Sequence, residues 1–126
     1  MPYYSANMES CAFRTEKQLY GFSILQRSGL FEHLRSLSGI KTAILFGSFA
    51  RGDWSKSSDV DLFLYGDDSG FDKAGFERTL GREIQTLSYT DSRRMKQELD
   101  PKLLPNIVRG FQIKESLEPL TVTVNG

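Results

Sequence analysis

The sequence has little of several residue types, and each scarcity narrows the class of protein. Cys11 is the single cysteine, so an internal disulfide is excluded and a reducing compartment is favoured. No run approaches the roughly 18 apolar residues of a membrane span, and the first residues lack the apolar core of a signal peptide. We therefore expect a cytoplasmic protein without membrane contacts.

An excess of charge of either sign is also missing. Sixteen basic and sixteen acidic residues cancel, so a broad nucleic-acid-binding surface is not the default expectation. The hydrophobic fraction of 39% and the charged fraction of 25% are typical of globular proteins. A chain of 126 residues is expected to form one domain with a modest core.

The spacing of apolar residues predicts an alternation of helices and strands. Residues 14–37 have helical spacing, interrupted at Ser28–Gly29, where the Ser28 hydroxyl can cap the second helix. Apolar runs predict strands at 42–46 and 60–65, which are close in sequence and are expected to pair antiparallel. The remaining predicted elements are a third strand at 83–88, helices at 71–80, 91–99 and 103–110, and an edge strand at 111–113. This order predicts an α/β fold in which helices pack against a small mixed β-sheet.

The two ends of the chain differ from this core region. Residues 1–13 show no periodicity and are predicted to form a loose arm. We therefore divide the chain into an arm with linker helices at 1–38, a main domain at 39–115 and a tail at 116–126.

Two carboxylates open the second predicted strand. Asp59 and Asp61 are two positions apart, so their side chains share one face of the strand, about 6.5 to 7 Å apart along it. Carboxylate oxygens are ligands that Mg²⁺ prefers, and substrate phosphates and waters can complete its shell. The pair is therefore a candidate metal site.

A Gly-Ser turn ends the first predicted strand. Gly47 lets the backbone approach a phosphate, and Ser48 can donate both its hydroxyl and its backbone N–H. Arg51 can add positive charge to a bound phosphate, or it can pair with Asp53 or Asp61. Trp54, in the following loop, is expected to anchor that loop rather than stack on a base.

These segments together resemble a known family signature. Residues 45–52, LFGSFARG, and 58–62, SDVDL, resemble the DNA polymerase beta-like nucleotidyltransferases, and look closest to the minimal nucleotidyltransferases of prokaryotes. The resemblance covers roughly residues 40–113 and implies the polymerase beta-like fold. It implies transfer of a nucleoside monophosphate from an NTP, with ATP favoured, to a hydroxyl acceptor such as a protein.

The resemblance also implies roles for particular residues. Asp59 and Asp61 match the catalytic ligands of Mg²⁺, and Gly47 and Ser48 match the turn that binds the triphosphate. Arg51 is a third candidate for nucleotide binding.

One position departs from the family pattern. The family uses a third carboxylate on a later strand, where this chain has Gln85. An amide cannot act as a base near neutral pH. Glu83, two residues back on the same strand face, can replace the carboxylate if the strand register slips. The alternative is therefore a catalytically weakened NTP-binding module, such as an antitoxin with a toxin partner, or another regulator.

A second and looser resemblance concerns the N-terminal segment. Residues 13–34 are similar to the linker that joins a winged helix-turn-helix to such a domain in archaeal proteins, and residues 3–7 would then be a remnant of a wing strand. On this hypothesis the chain is the remainder of a DNA-binding transcription regulator, and DNA is a partner only if a winged helix lies upstream. The apolar helix can also pack on a second copy, which leaves a homodimer open.

Overall fold

A computed structural model describes the backbone of residues 2–115 and the side chains of residues 11–115. Within this range the chain forms six helices and four strands. The helices are α1 (Pro2–Arg27), α2 (Leu30–Ser36), α3 (Ser48–Arg51), α4 (Lys73–Leu80), α5 (Ser92–Glu98) and α6 (Leu104–Val108). The strands are β1 (Ile40–Phe46), β2 (Val60–Gly66), β3 (Ile84–Tyr89) and β4 (Phe111–Lys114). No helix of the described residues is both long and apolar enough to cross a bilayer.

The four strands form one mixed sheet in the order β3-β2-β1-β4. Strand β1 pairs antiparallel with both β2 and β4, whereas β2 pairs parallel with β3. The predicted α/β class, the antiparallel pairing of the first two strands and the edge strand near the C-terminus are confirmed.

Side-chain alternation along β2 divides the core between the two faces of the sheet. Val60, Leu62 and Leu64 are fully buried on one face, where helices α1 to α4 and the neighbouring strands contribute further apolar side chains. Phe63 points to the opposite face and packs with Ile107 of α6 in a smaller cluster. A strand covered on both faces needs apolar residues at successive positions, which explains the continuous run in this part of the sequence.

The N-terminal prediction was wrong. Residues 2–13 form the first turns of α1 rather than a loose arm or a strand remnant. No glycine or proline occurs between Pro2 and Gly21 to interrupt a helix. Proline is favourable at the first helical position, because the N–H that it lacks would have no acceptor within the helix there. The domain boundary at residue 38 stays a prediction, and the predicted tail at 116–126 lies outside the described residues.

The predicted helix break at Ser28–Gly29 is confirmed. Gly29 adopts the left-handed conformation, with φ of 89°, and precedes the first residue of α2. The Ser28 hydroxyl donates to the carbonyl of Leu25 at 2.6 Å and accepts from the N–H of Leu30 at 3.2 Å. Ser28 therefore satisfies backbone groups on both sides of the break, although the N-cap position of α2 is Gly29, one residue after the predicted cap.

A pair of leucine substitutions tests the assignment of the core. Leu62→Ala removes a fully buried side chain and should lower the free energy of unfolding by about 2–5 kcal/mol. Leu19→Ala is the matched control, because that side chain is 62% exposed and its loss should cost no more than about 0.5 kcal/mol. Urea denaturation measures both, and equal losses would contradict this arrangement of the core.

Candidate active site

Three strand ends meet at one edge of the sheet. Antiparallel pairing places Phe46, at the end of β1, opposite Asp61 near the start of β2. Parallel pairing places Gln85, near the start of β3, beside the same Asp61. Adjacent strands are about 4.8 Å apart, so segments far apart in sequence converge around one carboxylate.

The backbone at Gly47 passes directly against the Asp61 carboxylate. Gly47 has φ of 76° and ψ of −152°, and a Cβ at this position would overlap Oδ2 of Asp61. A side chain is therefore excluded both by backbone conformation and by space. Helix α3 begins at the next residue, Ser48. The N–H of Arg51 donates to the Gly47 carbonyl at 3.0 Å, and this hydrogen bond forms the single turn of α3.

The two predicted metal ligands lie close enough to interact electrostatically. Partial burial and the Asp59 carboxylate raise the pKa of Asp61, and the charge of Arg51 opposes this rise. In the described part of the chain, the side-chain hydrogen bond to this pair comes from Gln85, whose Nε2 donates to Oδ2 of Asp59 at 3.4 Å. The arrangement therefore carries a concentration of negative charge that a cation would relieve.

Oxygen donors of this kind fit a magnesium ion. The described residues contain no group of three or more His, Cys, Asp or Glu that could enclose a metal. Mg²⁺ does not need such a cage, since it is commonly held by one or two carboxylates with waters and substrate phosphates. Asp59 and Asp61 can supply those carboxylates.

Arg51 takes one of the roles that its sequence context left open. Its Nε donates to Oδ2 of Asp53 at 3.1 Å, and both side chains are about half exposed. The guanidinium acts on Asp61 through charge rather than through a hydrogen bond. Its predicted contact with a nucleotide stays a prediction.

The assignment of Gln85 to the place of the family's third carboxylate stays a prediction from the sequence resemblance. Besides Asp59, Nε2 of Gln85 donates to Oε2 of Glu83 at 3.2 Å. The amide therefore links two carboxylates that would otherwise repel each other. In the parallel pairing of β2 and β3, the partner of Asp61 is Gln85. Glu83 is exposed and lies before the first residue of β3.

Trp54 anchors its loop, as predicted. The indole is buried, stacks on Phe49 with ring centroids 4.9 Å apart, and donates from Nε1 to the carbonyl of Lys17 at 2.9 Å. A Cβ on Gly21 of α1 would overlap the same indole nitrogen, which explains the close approach of α1 at a glycine. The ring is therefore occupied by packing rather than available for a base.

The contribution of α1 to the site was missed at the sequence level. Gln18 donates from Nε2 to the carbonyl of Ala50 in α3 at 2.6 Å. The two residues are 32 positions apart, and no local pattern signals their contact. The helix that was interpreted as a linker therefore braces the turn that carries Ser48.

A family model described as a nucleotidyltransferase domain matches residues 27–121. The chain belongs to this family. The four-stranded mixed sheet and its helices are consistent with the polymerase beta-like nucleotidyltransferase fold. The match begins at the last residue of α1, so most of this bracing helix precedes the family's nucleotidyltransferase domain.

A curated relative of this chain is a protein of Methanocaldococcus jannaschii described as a "putative protein adenylyltransferase". The two sequences are 57% identical over 28 residues, which is 22% of this chain. The matched segment spans 28% of the length of the relative.

The raised pKa of Asp61 leads to a prediction about stability. Below the ordinary carboxyl pKa the group is protonated in both the folded and the unfolded state, so ionisation costs the fold nothing. As the pH rises through the raised pKa, the folded state loses stability relative to the unfolded state. Asp61→Asn should therefore raise the Tm at pH 7 in EDTA, and this gain should shrink as the pH falls toward about 4.

Asp67→Asn is the control with the opposite sign. Hydrogen bonds from Ser69 lower the pKa of the Asp67 carboxyl, so its ionised form favours the folded state. This variant should not raise the Tm at pH 7. A wild-type Tm equal to or above that of Asp61→Asn at pH 7 without metal would contradict the electrostatic account of the pair.

Proposed function

We propose that the protein is a Mg²⁺-dependent nucleotidyltransferase that transfers a nucleoside monophosphate from an NTP, preferably ATP, to an acceptor hydroxyl. One observation carries this proposal. The Gly47–Ser48 turn, Asp59 and Asp61 converge at one sheet edge within a nucleotidyltransferase domain. Phosphoryl transfer requires positioning and charge neutralisation more than covalent chemistry from the protein, and these residues are suited to both tasks.

Each residue then has a separate task. Asp59 and Asp61 would hold the metal, which supplies charge neutralisation on the triphosphate. The side-chain-free backbone at Gly47 lets the phosphates approach, while Ser48 offers a hydroxyl and an N–H at the start of α3. Arg51 is close enough to influence the charge of Asp61, and its exposed guanidinium can exchange Asp53 for a phosphate oxygen.

A protein hydroxyl is the acceptor that we favour. The support is the Methanocaldococcus jannaschii relative, which is described as a "putative protein adenylyltransferase". The relative also favours ATP as the donor nucleotide. Serine, threonine and tyrosine side chains of a partner protein supply acceptors of this chemistry.

A second candidate function follows from Gln85. This amide stands beside Asp61 in register and donates to Asp59, at the position where the family pattern has a base. An amide cannot remove a proton from an acceptor hydroxyl near neutral pH. The alternative is therefore an NTP-binding regulatory module, such as an antitoxin, that binds nucleotide with little turnover.

Label transfer from α-labelled ATP tests the proposed activity. With Mg²⁺ and a candidate protein acceptor, the wild-type chain should transfer label, and Asp59→Asn or Asp61→Asn should reduce the rate roughly 100-fold or more. Asp68→Asn, beyond the opposite end of β2, is the control and should keep wild-type activity. If wild type transfers no label with any NTP or acceptor, the chain is not a transferase under these conditions and the regulatory alternative is favoured.

Substitution of Gln85 separates the two functions. Gln85→Asp introduces a third carboxylate beside Asp61 and should raise the rate of label transfer by about tenfold or more. Gln97→Asp, on the exposed surface of α5, adds the same charge away from the site and should leave the rate unchanged. Calorimetry should show that wild type, Gln85→Asp and Gln97→Asp all bind Mg²⁺·ATP. A lower rate of label transfer in Gln85→Asp than in wild type would show that the Gln85 amide itself serves the reaction.

A further inference from the structure

Arg82 forms hydrogen bonds with the loop that leads into Asp59. This residue follows Gly81, the left-handed glycine that ends α4, and precedes β3. Its Nη1 donates to two carbonyls of the loop between α3 and β2, at 3.0 Å to Ser55 and 2.7 Å to Ser58. The residues lie 24 and 27 positions apart in sequence, so the contact joins two segments that local structure does not link.

The shorter of these hydrogen bonds acts on the peptide unit that leads into Asp59. The Ser58 carbonyl and the Asp59 nitrogen belong to the same peptide bond, which is planar and rigid. A hydrogen bond that fixes the carbonyl direction therefore also fixes the direction in which the chain enters Asp59. The N–H of the following residue, Val60, donates to the Glu83 carbonyl at 2.9 Å, so Asp59 is held from both sides by the segment 82–83.

The guanidinium is itself held in place by aromatic rings. Its carbon lies 4.9 Å from the centre of the Phe49 ring and 5.7 Å from the Trp54 ring. Phe49 and Trp54 stack nearly parallel, and Trp54 is tied to α1 through the Lys17 carbonyl. The planar head of an arginine fits this environment, since it can lie against rings while it directs two N–H groups of one nitrogen at two carbonyls.

We propose that Arg82 is a positioning residue, which sets the geometry of Asp59 against Asp61 by holding the Ser58–Asp59 peptide. This inference rests on the proposed metal-dependent transfer, and it assigns Arg82 no contact with substrate or metal. Its guanidinium is committed to loop carbonyls and aromatic rings. A loosened loop would displace one of two metal ligands, and small displacements of a reacting group cost rate steeply.

Three substitutions distinguish positioning from a merely electrostatic or structural role. Arg82→Lys keeps the positive charge but loses the planar donor pair, whereas Arg82→Met keeps only the aliphatic stem. Arg78→Met is the matched control, because Arg78 lies on the exposed surface of α4 one turn earlier. Urea denaturation of each variant measures its global stability separately.

The first readout is independent of nucleotide and metal. Lys56 is exposed in the loop that Arg82 contacts. Trypsin cleavage after Lys56, followed by mass spectrometry, therefore reports local opening of this loop. With all proteins folded and without denaturant, we expect cleavage after Lys56 to be at least tenfold faster in Arg82→Met and Arg82→Lys than in wild type and Arg78→Met. Cleavage at the control rate in both Arg82 variants would overturn the proposal, and so would acceleration that matches only the change in global unfolding.

The second readout is the metal requirement of label transfer from ATP. We expect both Arg82 variants to need at least tenfold more Mg²⁺ for half-maximal rate and to lose kcat, with KM for ATP changed less than threefold. Wild-type metal dependence in Arg82→Lys would mean that charge alone matters and would overturn the positioning role. If the wild type itself shows no transfer, the proposed function fails, while cleavage after Lys56 still decides whether Arg82 holds the loop.

Discussion

The close passage of the Gly47 backbone against the Asp61 carboxylate is the constraint on which the site depends. The pairing of Phe46 with Asp61 brings the end of β1 to the start of β2, and only glycine leaves room for the carboxylate at the next position. A triphosphate bound at this turn would therefore meet the carboxylates at short range. This arrangement disfavours the ionised form of Asp61, since burial and the neighbouring Asp59 carboxylate raise its pKa.

Elements outside the two motifs support this constraint. Helix α1 braces the turn through the Gln18 hydrogen bond to Ala50 and through Trp54, which is tied to the Lys17 carbonyl. Arg82 holds the loop through the Ser55 and Ser58 carbonyls. Phe49 and Trp54 belong to the core, whereas residues 55–59 that follow them are polar, and hydrogen bonds from Arg82 to two carbonyls hold this polar part of the loop.

Much of the fold and the place of the candidate site in it were predictable from sequence, because both depend on local patterns. The apolar runs marked β1 and β2, and the Gly-Ser turn and paired carboxylates marked the sheet edge between them. The start of α1 was mispredicted because its first turns lack an apolar stripe, although the absence of glycine and proline after Pro2 permits a helix. The contacts of Gln18 and Arg82 were not predictable, since each joins segments more than 20 positions apart.

The most direct test is a crystal structure with Mn²⁺ and a non-hydrolysable ATP analogue. Anomalous scattering should place Mn²⁺ within roughly 2.0–2.3 Å of carboxylate oxygens from both Asp59 and Asp61. The triphosphate should lie against the backbone of Gly47 and the hydroxyl of Ser48. A nucleotide bound elsewhere, or a metal that touches neither carboxylate, would contradict the account.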